Sequence, residues 1–206
     1  MFASTRTFLH VGCGYNRKNM TTPAFNTDEW RELRLDIDKG VDPDIVSSMT
    51  DMSGVPDNYV DAIFSSHNIE HLYPHDVPKA LAEFVRVLNP QGFAVITCPD
   101  LQSVCKLVAE DKLDEAAYIS PAGPIAPLDI LYGFRPALAS GNLFMAHRCG
   151  FTLKTLDLCL RSNGFHSIAL TRREHPNYDL WALASVPARD EAAMRALAVE
   201  HLPLRG

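Results

Sequence analysis

Between Val60 and Cys98 the chain passes from one apolar run through an amphipathic segment to another, and few architectures accept that succession. Val60-Asp61-Ala62-Ile63-Phe64-Ser65-Ser66 follows the turn signal Pro56-Asp57-Asn58 and reads as a strand. Leu81, Phe84, Val85 and Leu88 then recur at i, i+3, i+4 and i+7, the stripe of a helix packed on one face. Asp76 stands where that helix needs an N-cap, and Asn89-Pro90-Gln91-Gly92 supplies its stop. Residues 93–98 are mostly apolar, as expected of a strand covered on both faces. Strand, helix and strand in that order favour a parallel α/β sheet.

The rhythm extends in both directions. Thr7-Phe8-Leu9-His10-Val11 is a short strand-like run that stops at Gly12-Cys13-Gly14, and residues 32–37 and 44–48 read as a second strand and a short third one. Residues 16–26 hold Thr21-Thr22-Pro23 and little helical periodicity, so the crossover between the first two strands should be short or irregular. A helix containing Val104, Leu107 and Val108 is expected after strand five. Residues 119–149 break the pattern with Pro121, Pro124, Pro127 and Pro136, and the stretch is too long for an ordinary connection. We expect an insertion there that covers a substrate. Thr152 can cap a helix carrying Leu153, Leu156 and Leu160, with Gly164 at its left-handed end. Residues 165–172 and 178–186, joined through Glu174-His175-Pro176-Asn177, read as an antiparallel hairpin, and 188–201 as a surface helix. The expected organisation is one α/β domain over residues 1–206, with the 119–149 insertion as a lid.

A strand that ends in G-x-G brings backbone close to a ligand, since glycine has no Cβ and tolerates unusual dihedrals. Asp36, roughly 20 residues on, stands where an acidic side chain meets ribose hydroxyls in nucleotide sites. Gly14 is followed by Tyr15-Asn16-Arg17, and no third glycine completes G-x-G-x-x-G, which disfavours a pyrophosphate cofactor. Together LHVGCG, LDID, VPDNYVDAIFSSHNIEHL, LAEFVRVLNPQGFAVITCPD and FTLKTLDLCLRSNGF resemble class I S-adenosylmethionine-dependent methyltransferases, above all the small bacterial type-11-like group. The resemblance spans residues 7 to 186. It implies a three-layer Rossmann-like fold with a mostly parallel seven-stranded sheet, an antiparallel C-terminal hairpin, and S-adenosyl-L-methionine bound across the carboxyl ends of the strands. Carried over by position, Gly12 and Gly14 would face the amino-acid part of the cofactor. Asp36 would accept from the ribose hydroxyls, Ser48, Met49 and Asp51 would border adenine, and Ser66 and His67 would lie near the transferred methyl. His10 and Ser48 depart from the family, which commonly has acidic residues there or, in place of Ser48, an amide.

Further expectations rest on residue chemistry. A formal charge of −6 without a dense basic patch disfavours nucleic acid and anionic membranes and favours a small-molecule acceptor. Five cysteines with no C-x-x-C pair fit reduced thiols and a cytoplasmic setting. No signal peptide and no membrane span are read in the sequence. His67 and His147 are the candidate bases, since imidazole titrates near neutrality, and His71, Tyr132 and Arg148 are candidate substrate contacts. His67-Asn68-Ile69-Glu70-His71 also matches the H-x-x-E-H pattern of zinc peptidases. Because it begins directly after strand four, inside the methyltransferase pattern, no metal is assigned. A nicotinamide-dependent oxidoreductase and a non-catalytic nucleotide- or partner-binding module are the alternatives to methyl transfer, and the oligomeric state is left open.

Overall fold

The computed structural model describes residues 5–203. Its main sheet has seven strands, beginning with β1 (Arg6–Val11), β2 (Trp30–Asp36), β3 (Ile45–Val46) and β4 (Val60–Ser66). After α1 (Val77–Val87) comes β5 (Leu88–Pro99), which α2 (Leu101–Ala109) follows. The region expected to be a lid holds a small separate hairpin, β6 (Tyr118–Ser120) and β7 (Gly123–Ile125), and two short helices, α3 (Pro127–Tyr132) and α4 (Arg135–Ala139). The chain then returns through α5 (Leu153–Ser162), β8 (Ser167–Arg173), β9 (Asp179–Ser185) and α6 (Glu191–His201).

The strand order is β3-β2-β1-β4-β5-β9-β8, with β1 to β5 parallel and β9 antiparallel to both neighbours. Strand addition runs one way from β1 to β3 and the other way from β4 onward, so the carboxyl ends of β1 and β4 flank the point where the winding reverses. Open α/β sheets bind ligands in that crevice.

Side chains alternate between two cores, as a pleated strand requires. Leu9 and Val11 join Leu81, Phe84, Leu156 and Leu160 beneath α1 and α5, whereas Phe8 points the other way, into Phe25, Trp30, Phe93 and Met194. On that second face the link from β1 to β2 contains only a 3-10 turn at Lys18–Met20, in line with the irregular crossover expected from the sequence. Three details of the elements differ from expectation. Leu88, expected to close the stripe of α1, and Asn89-Pro90-Gln91-Gly92, expected to stop that helix, belong to β5. Asp76 occupies the N-cap position of α1 but makes no capping bond, and its carboxylate accepts instead from Lys79 Nζ at 2.7 Å. Helix α6 is not wholly superficial, since Met194 and His201 are buried in the second core.

Candidate active site

At the end of β1, Gly12 and Gly14 both have left-handed backbones, with φ of +62° and +51°. They serve different ends. A Cβ on Gly12 would collide with the side chain of Asn68, which donates to the carbonyls of Val11 at 2.9 Å and Ser66 at 3.0 Å and so ties the ends of β1 and β4 together. Nothing lies within 4 Å of the corresponding Cβ position on Gly14, which opens onto a cleft of about 470 Å³. Asp36 holds the loop from the opposite strand: Oδ2 accepts from Gly14 N at 2.7 Å and Oδ1 from Asp38 N at 2.8 Å. The remaining lone pairs of this 9% exposed carboxylate are left for other donors.

Beneath the loop lies a charged side chain that the sequence analysis did not single out. Arg34 is buried, and its guanidinium donates to the carbonyls of Gly14 at 2.5 Å, Asn16 at 3.3 Å, Asp42 at 2.6 Å and Val41 at 3.3 Å. One planar fork thus fixes the glycine loop relative to the loop after β2. The available signal was an arginine flanked by Leu33 and Leu35, two positions before Asp36. His10 is also structural, with its Nδ1 2.7 Å from Glu32 Oε1 and its ring buried against Phe64.

Ser48 and Met49 line the cleft together with Ile37, Val41 and Ser47. Asp51 lies outside that lining, and its Oδ1 accepts from Ser53 N at 3.1 Å. Ser66 and His67 reach the cleft from the end of β4, where Ser66 Oγ pairs with Thr97 Oγ1 at 2.8 Å and His67 is held at φ +53°. His71 and Arg148 also face it, beside Asn142, Phe144 and Met145 from the 119–149 region. Tyr132 is outside both this cleft and its smaller neighbour, and only its carbonyl contributes, accepting from His147 N at 3.1 Å.

That neighbour, of about 160 Å³, is walled by Pro99, Tyr118, Ile130, Phe134, His147 and Tyr178 among others. His67, His71 and Met145 line both spaces. Glu70 sits at the base, 1% exposed, with His67 Nδ1 at 3.4 Å, and Asp179 Oδ2 lies 3.8 Å from His67 Nε2. Desolvation opposes a charge on His67, but Asp179 and Glu70 outweigh it and push its pKa up to about 9. Desolvation likewise opposes charge on Glu70, yet His67 and the more distant His71 and His147 hold the carboxyl below its ordinary range. Burial lowers the pKa of His147. Burial also raises the Cys13 thiol to about 11 and the Cys149 thiol to about 12, so neither is a thiolate at neutral pH. All five cysteines are free.

A glycine loop and an acidic residue on adjacent parallel strands, at a winding reversal, suit a nucleoside-containing ligand. Residues 9–96 match a family model described as a methyltransferase domain. Over that segment the chain is similar to methyltransferase domains.

Solved methyltransferases share the fold. The S-adenosylmethionine-dependent methyltransferase of Archaeoglobus fulgidus superposes with a TM-score of 0.56 at 15% identity, covering 89% of this chain and 87% of its own. The 1,6-didemethyltoxoflavin-N1-methyltransferase of Burkholderia thailandensis, described with 1,6-didemethyltoxoflavin and S-adenosylhomocysteine bound, gives 0.56 at 16% identity over 88% of this chain and 71% of its own. An S-adenosylmethionine-dependent methyltransferase of Aquifex aeolicus gives 0.53 at 16%, over 91% and 85%. A search of the curated proteins finds no significant match. The methyltransferase-domain match makes S-adenosylmethionine the cofactor to fit to the cleft. The donor set fits it, with open space over Gly14, a carboxylate at Asp36 with lone pairs to spare, and apolar walls from Ile37, Val41 and Met49. Among the described residues, no helix is long and apolar enough to cross a membrane.

Proposed function

We propose that the protein methylates a small polar acceptor that binds beneath residues 119–149, against His67, His71 and His147. One observation carries the reading: the larger cleft and the small pocket meet at the shared residues His67, His71 and Met145. In this reading Gly12 and Gly14 present backbone to the amino-acid end of the cofactor, and Asp36 binds the ribose. Ser48 and Met49 border the adenine, Asp51 supports that loop from behind, and Ser66 lies by the transferred methyl. The cofactor supplies an electrophilic methyl on a sulfonium centre. The protein's task is then alignment and exclusion of water, which can contribute on the order of 7–11 kcal/mol to a bimolecular step.

Arg148 and His71 hold the acceptor side together, since the Arg148 guanidinium donates to the His71 carbonyl at 2.6 Å. His67 and His147 are the catalytic candidates, turned toward the acceptor's nucleophilic group, and Tyr132 positions His147 through its carbonyl. A pocket of about 160 Å³ favours a small acceptor, and a charge of −6 disfavours nucleic acid. The free thiols favour a cytoplasmic setting.

Purified protein would be incubated with methyl-labelled S-adenosylmethionine and a panel of small hydroxyl, amine and carbon-acid compounds. Label is expected in a small-molecule product. Label found only in added protein or nucleic acid would overturn the acceptor assignment.

A further inference from the structure

Glu70 is the least comfortable group in the molecule. It is 1% exposed, and neither carboxylate oxygen has a hydrogen-bond partner among the described residues. A buried carboxylate in that state costs several kcal/mol unless a compensating charge stands close by, and His67 at 3.4 Å is its only ion-pair partner there. Glu70 is also held rigidly. It lies in the 3-10 turn Ile69–His71, whose carbonyls are stapled to the end of the 119–149 insertion: Glu70 O accepts from Arg148 N at 2.8 Å and Cys149 N at 3.2 Å, and Ile69 O from Cys149 Sγ at 3.3 Å.

Two imidazoles meet this carboxylate. One ligand atom from each of Glu70, His71 and His147 lies within 4.8 Å of the others, and the two rings pack edge to face at 4.9 Å. His71 Nδ1 is 3.1 Å from the carbonyl of Ala146 and His147 Nδ1 is 2.7 Å from that of Ile130. A carbonyl only accepts, so both Nδ1 atoms carry hydrogen, and Nε2 of each ring is the nitrogen left to bind a metal. Histidines that bind metals are oriented by the same kind of outer bond to a carbonyl.

We propose that Glu70, His71 and His147 form a site for one divalent first-row transition-metal ion. Two imidazole nitrogens and one carboxylate oxygen suit zinc, cobalt, iron or nickel better than magnesium or calcium, which prefer oxygen throughout. Three protein ligands leave a position open. That position faces the small pocket, where it takes an oxygen or nitrogen of the acceptor; this last assignment rests on the methyl-transfer reading, whereas the cation site does not. The site differs from the H-x-x-E-H arrangement in the sequence, because His147, far along the chain, replaces His67 as the second imidazole.

The test uses the full-length protein, free of any affinity tag, stripped with EDTA and titrated with cobalt(II) and zinc(II). One equivalent per chain is expected, with visible absorption bands of bound cobalt that an excess of magnesium does not abolish. His147→Ala and Glu70→Gln should each weaken both metals by more than the roughly 10–100-fold that loss of an outer hydrogen-bond partner costs a metal site. Binding of S-adenosylhomocysteine, measured separately, should persist in His147→Ala, because His147 does not line the larger cleft. No uptake by the wild type, displacement by magnesium, or unchanged affinity in a variant that still binds S-adenosylhomocysteine would overturn the site. Cobalt binding by a protein that ignores S-adenosylhomocysteine would instead overturn the methyl-transfer reading and leave the cation site standing.

Discussion

Arg34 must satisfy a guanidinium inside the protein, and it does so on the carbonyls of two loops that border the larger cleft from different strands. Lysine keeps the charge but loses the fork, so Arg34→Lys should leave some of those carbonyls without a donor. We expect S-adenosylhomocysteine affinity to fall roughly 10–100-fold, matching the 1.5–3 kcal/mol of a hydrogen bond to a charged group, with a lower Tm. Calorimetry and thermal melting would check both, and a wild-type affinity would contradict the role. The two glycines offer a sharper contrast. Gly12→Ala meets Asn68 as well as a left-handed backbone and should lose stability and cofactor binding together. Gly14→Ala meets only the backbone term, about 1–2 kcal/mol, and should lose binding out of proportion to its change in Tm. That Gly12, Gly14 and Asp36 meet at one cleft was legible because turn chemistry and strand spacing are local signals. Arg34 and Asn68 work through carbonyls that only the folded chain brings near, and no local pattern marks them.

Among the elements, those with a clear period were readable in sequence: β4 at residues 60–66, the stripe of α1, and the closing hairpin all stand where apolar recurrence puts them. Fully buried Leu81 anchors that stripe, and Leu81→Ala should cost about 2–5 kcal/mol in chemical denaturation. Where tertiary contacts decide, the sequence was less informative. Asp76 pairs with Lys79 rather than capping, and the proline-rich region folds into short pieces too brief to show a period. The end of α6 is another such case. His201 packs against Phe25 and Phe93, its Nδ1 3.0 Å from Thr22 Oγ1, and burial, helped by the charge of Arg6, lowers its pKa to about 4. Glu200, 3.9 Å away, is 58% exposed and screened by water. The folded pKa lies below the ordinary 6.5, so the unfolded chain binds the proton more readily and this contribution is complete only above about pH 6.5. It should be lost as the pH falls toward 4, by at most about 3 kcal/mol. Denaturation measured across that range should show a shallower slope for His201→Phe; an unchanged slope would remove His201 from the explanation.

At the scale of the whole molecule, the parallel run, the reversal between β1 and β4 and the antiparallel end bring the carboxyl ends of the strands to one site. The fold was legible in the order of strand-like and helix-like segments, and the larger cleft in the motifs that end the strands. The small pocket was legible only as a list of histidines, because Glu70 and His71 meet His147 through the path of a long insertion. The central claim is that the cleft over Gly14 and Asp36 takes the sulfur nucleoside and not a dinucleotide. Isothermal titration of the wild type and Asp36→Ala with S-adenosylhomocysteine and with NAD tests it most directly. We expect one S-adenosylhomocysteine per chain on the wild type, binding at least about 10-fold weaker to Asp36→Ala, and no heat from NAD. Saturable NAD binding with S-adenosylhomocysteine silent at millimolar concentration would contradict it.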